Sequence, residues 1–105
     1  MTDEMAVDAE GRPYVIVRAS SAGVHAGFLV EDHGADRIVL GDSRRMWRWH
    51  GRTLSGVAME GPDHLSLCKF GDRLPSITVM GACEIIPCTV GAMGRINDVA
   101  IWVND

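Results

Sequence analysis

Seven consecutive residues, Arg44-Arg45-Met46-Trp47-Arg48-Trp49-His50, concentrate the side chains best suited to recognition. Arginine presents a planar guanidinium that grips carboxylate or phosphate in pairs, and an indole face accepts a cation or another flat ring. With Arg52 just beyond, the candidate contact residues are Arg44, Arg45, Trp47, Arg48, Trp49 and Arg52. As a strand of period two, the stretch puts Arg45, Trp47 and Trp49 on one face and Arg44, Met46, Arg48 and His50 on the other. The plainest reading packs both tryptophans in the core and pairs the arginines with local acids such as Asp42 and Glu60. A second makes the stretch a protein contact, since Trp and Arg anchor interfaces. A third has it bind a nucleotide or single-stranded nucleic acid by stacking and phosphate neutralisation.

Other reactive residue types lack partners at useful spacing. Gly41-Asp42-Ser43 invites comparison with an esterase nucleophile block, but no Asp-x-x-His follows, and the triplet reads as a turn between strands. His25, His33, His50 and His64 are scattered, with neither an i, i+4 pair nor an H-E-x-x-H block. Cys68, Cys83 and Cys88 form no C-x-x-C pair and read as reduced, buried, apolar thiols. No phosphate loop and no G-x-G-x-x-G occurs. No catalytic residue, metal or cofactor is expected.

The elements that hold the basic stretch must fit in 105 residues, enough for one domain with one main core. A 47% apolar content argues for a folded globule. No apolar run reaches the roughly 18–20 residues of a membrane span, and the start shows no signal-peptide pattern. A soluble product, neither secreted nor membrane-bound, is expected. Asp3, Glu4, Asp8 and Glu10 precede the first base and account for the net charge of −4, so the body is formally neutral. That neutrality disfavours nucleic acid as a partner. All the bases are arginine except Lys69, a bias that suits fixed contacts and that a GC-rich genome also produces.

The chain divides into an acidic N-terminal arm, 1–12, and a single β-rich domain, 13–105. Pro13–Ala19 is β-branched and aromatic, and Gly23–Glu31 alternates. Arg37–Leu40 returns after the turn cluster Asp32–Asp36, and the basic stretch follows Gly41-Asp42-Ser43. Thr53 caps a two-turn helix that closes at Gly61-Pro62, and Thr89 caps a second through Ile96. Leu65–Phe70, Ile77–Pro87 with a bulge or kink at Gly81, and Val99–Val103 complete about seven short strands. The expected fold class is mostly β, a β-rich α+β barrel or sandwich with one or two short helical inserts.

Several blocks in order resemble an uncharacterised family of short proteins encoded by tailed bacteriophages and prophages. They are Tyr14-Val15-Ile16-Val17-Arg18, Ser21-Ala22-Gly23-Val24-His25-Ala26-Gly27, Arg44-Arg45-Met46-Trp47-Arg48-Trp49, Thr53-Leu54-Ser55, Cys68-Lys69-Phe70 and Glu84-Ile85-Ile86-Pro87-Cys88. The resemblance implies a viral origin and carries over no activity or catalytic residue. It makes the expected function a non-enzymatic, self-associating virion component of head or connector. The alternative is an intracellular inhibitor that binds a host or defence protein, or sequesters a signalling nucleotide. The expected location is the virion or the host cytoplasm, and a homo-oligomer is expected in either case.

Overall fold

Tyr14-Val15-Ile16-Val17 is apolar at both parities, and a strand so composed must bury both faces. The computed structural model describes residues 4–103 and places this run at the centre of the molecule. β1 (Tyr14–Ala19) pairs antiparallel with β2 (Gly23–Asp32) on one side and β6 (Ala82–Pro87) on the other. β3 (Ile38–Arg48) follows β2, and its two halves meet different neighbours: β5 (Leu74–Val79) and the two-residue β4 (Lys69–Phe70). The result is an open, six-stranded antiparallel sheet.

That sheet is coiled. β5 and β6 lie on opposite edges yet are joined by Met80-Gly81 alone, so the edges converge there. The N–H groups of Gly81 and Ala82 donate to Ala35 O at 2.8 and 3.1 Å, which pins the β2–β3 turn into the seam. Coiling creates two cores. Val15, Val17, Ala19, Ile38, Leu40 and Val79 pack inside the curl. On the other face Tyr14, Ile16, Ala26, Met46 and Phe70 pack beneath α1 (Leu54–Glu60) and α2 (Val90–Asp98). Thr53 and Thr89 cap these helices, accepting from Gly56 N and Ala92 N, as their positions before apolar runs predict. The described part of the acidic segment is docked on this body. Ala6 is buried, its N–H donating to Cys88 O, and Val90 N donates to Glu4 O.

Several expectations are corrected. The sheet is open rather than closed into a barrel, and six strands form among the described residues where about seven are expected. Gly41-Asp42-Ser43 is not a turn between strands; it lies within β3, which fuses two expected strands. Between the pairs Ala26↔Arg44 and Phe28↔Gly41, β3 carries one residue more than β2, and Asp42 absorbs it at φ +47°. Gly81 is neither a bulge nor a kink within one strand but part of the two-residue link that separates β5 from β6. Leu65–Phe70 yields a 3-10 turn (Leu65–Leu67) before β4. Val99–Val103 makes only an isolated bridge, Phe70↔Ile101, because β4 is too short to template more. No helix among the described residues is long and apolar enough to cross a membrane.

Candidate functional site

Alternation holds through Trp47 and fails beyond it, because that residue is itself a bulge. Met46 pairs with Phe70 and Arg48 with Lys69, so two steps on β3 match one on β4 and Trp47 is the extra residue. One extra residue reverses the facing of the residues that follow it. Trp47 stays on the outer face with Arg45, 56% exposed, whereas beyond it Arg48 turns out and Trp49 turns in to pack against the helix-side core. The expectation that both tryptophans are core holds for Trp49 only.

The exposed indole is not alone. Arg45 places its guanidinium carbon 5.1 Å from the Trp47 ring centre. Trp102 meets Trp47 edge to face, centroids 6.5 Å apart at 63°, and Lys69 Nζ lies 5.0 Å from the Trp102 ring centre. Cation, indole, indole and cation thus form a row across the ends of β3 and β4. A groove of about 370 Å³ runs beside it, lined by Arg45, Trp47, Asp72, Leu74, Ile77 and Trp102. Arg48, which is exposed, lines a neighbouring groove together with Lys69 and Trp102.

Arg44 belongs to the support, not the surface. It is wholly buried and donates to Ile96 O and Val99 O at 2.9 and 2.7 Å and to Gly71 O at 3.1 Å. Its guanidinium also lies 5.5 Å from the Phe70 ring centre. A cation on the last carbonyls of a helix complements the helix dipole. Here it also anchors the chain leaving α2, so that Trp102 N reaches Phe70 O and the indole reaches Trp47. Arg52 lies apart at the end of α1, bonded to Gly61 O and paired with Asp63 and Glu60 at 2.6 and 3.5 Å. Of the six predicted residues, Arg45, Trp47 and Arg48 share the surface, while Arg44, Trp49 and Arg52 serve the framework.

Sequence reasoning missed Lys69 and Trp102. Trp102 sits in a strand-like run, and only the missing turn signal between α2 and Val99 argues that this run does not join a ladder. Other reactive groups are dispersed. Burial pushes the Cys88 thiol up to about 12 and raises that of Cys68, whereas Cys83 is exposed, against the expectation of three buried thiols. Ser43 is buried with an unpartnered hydroxyl, far from the nucleophile its triplet suggested. His50 and His64 meet edge to face at 4.9 Å, and no group of three metal-ligating side chains occurs among the described residues.

No curated protein and no solved structure matches the chain. One family model does, over residues 12–96, from the end of the docked acidic segment through most of α2. The chain belongs to the family described as a domain of unknown function, DUF6948.

Proposed function

We propose that this chain is a non-enzymatic, self-associating bacteriophage protein, an accessory of the virion head or connector. The observation that carries the reading is the exposed Trp47–Trp102 pair with its flanking cations. Indoles left in water next to Arg and Lys have the composition of interface anchors. The blocks that resemble tailed-phage proteins supply the viral setting, and Arg44–Trp49 is among them. The free edges of β5 and β6 add a second route to self-association.

The experiment is quantitative mass spectrometry of gradient-purified particles against the lysate of infected cells. Presence at fixed stoichiometry in washed particles supports a virion role. Absence from particles with abundance in the lysate overturns it and selects the second reading, an inhibitor acting in the host cytoplasm. The cations rimming the grooves, Arg45, Arg48 and Lys69, favour that alternative, since they suit an acidic host or defence protein or a signalling nucleotide.

A further inference from the structure

β3 separates two surfaces of opposite charge. At its end lies the Trp47–Trp102 row with Arg45, Arg48 and Lys69. Before its start lies the β2–β3 turn, where Glu31, Asp32 and Asp36 stand exposed against His33 and Arg37. Eleven residues of strand hold the two at its opposite ends, about 30 Å apart along the chain at some 3.3 Å per residue. The acidic end also carries an apolar projection. Met80 is 67% exposed, and its neighbour Gly81 donates to Ala35 O within the acidic turn. A flexible thioether beside a turn with three acids thus matches an indole-lined groove whose rim carries Arg45, Arg48 and Lys69 against the single acid Asp72, and which reaches along β5 as far as Ile77.

We infer that the occupant of the Trp47–Trp102 groove is a second copy of this chain, which presents Met80 and the acidic Glu31–Asp36 turn. This rests on the self-association proposed above and specifies its geometry. Patch against patch would set Arg45, Arg48 and Lys69 against their own copies, so like charges oppose a two-fold interface. End against end is heterologous, and such contacts repeat until a ring closes or a filament grows.

The test is sedimentation velocity of the full chain over a concentration series at low and raised salt. One variant carries Arg48→Glu and Lys69→Glu, a second Glu31→Lys and Asp36→Lys, and a third Met80→Ser. The expected result is a wild-type mass that rises with concentration and falls with salt. Each double variant stays monomeric where the wild type associates, and an equimolar mixture of the two associates again, which also shows that both fold. Met80→Ser weakens association at least tenfold. Wild-type association untouched by either reversal, or a mixture of folded variants that stays monomeric, overturns the head-to-tail contact while self-association stands. A wild type that is monomeric throughout overturns both.

Discussion

At the scale of the residue, the surface depends on a side chain that never reaches it. Arg44 holds the carbonyls of Ile96, Val99 and Gly71, so the chain after α2 is fixed from beneath. Replacing it by methionine, similar in volume but without a donor, strips Val99 O and Gly71 O of these bonds in a buried setting. A loss of about 3 kcal/mol is expected, on the scale of orphaned buried polar groups. Urea unfolding followed by tryptophan fluorescence measures it, and a loss below about 1 kcal/mol refutes the assigned role. His25 makes a second residue-level prediction. It is buried, and its Nε2 sits 2.8 Å from Ala22 O; a carbonyl only accepts, so Nε2 carries the proton and Nδ1 is left unpartnered. Burial, with a smaller contribution from Arg45, holds its pKa below 6.5. The unfolded chain then binds the proton more readily, so this contribution to stability is present above pH 6.5 and lost as the pH falls below it. His25→Asn should flatten the fall in urea midpoint between pH 6.5 and 5; an unchanged slope assigns the acid sensitivity elsewhere.

At the scale of the element, local signals were legible and partner-dependent ones were not. Thr53 and Thr89 mark the helix starts because a cap is a property of a few neighbouring residues. The β3 bulges at Asp42 and Trp47 exist only relative to β2 and β4, so period two along one chain cannot reveal them. The same reason hid half of the site, since Lys69 and Trp102 join Trp47 through β4 and the exit from α2. The glycines of α2, by contrast, act as their composition suggests. A Cβ at Gly94 meets nothing within 4 Å, so its only effect is on chain entropy and helix propensity. Gly94→Ala is expected to raise stability by about 0.5–1 kcal/mol. No gain in the urea midpoint would mean that α2 adds nothing to the cooperative unit.

At the scale of the whole molecule, two cores share one strand. β1 gives Tyr14 and Ile16 to the helix-side core and Val15 and Val17 to the coiled interior, and both its edges are paired. Opening either core alone leaves β1 held by the other, so its amides should exchange with solvent only through global unfolding. β5 and β6 each have one neighbour in the sheet and mostly exposed or half-buried side chains. Their outward amides should exchange through local opening, except Gly81 and Ala82, which donate to Ala35 O. Hydrogen exchange by mass spectrometry at two protein concentrations reads this gradient and the end-to-end contact together. Dilute protein should show β1 slowest and the outward β5 and β6 amides fastest. Concentrated protein should slow 31–36 and 80–82 together with 45–48 and 101–103, while β6 beyond Ala82 is unchanged. Slowing confined to 83–87 would instead assign association to the free β6 edge, where backbone pairing rather than the tryptophan groove would join the copies.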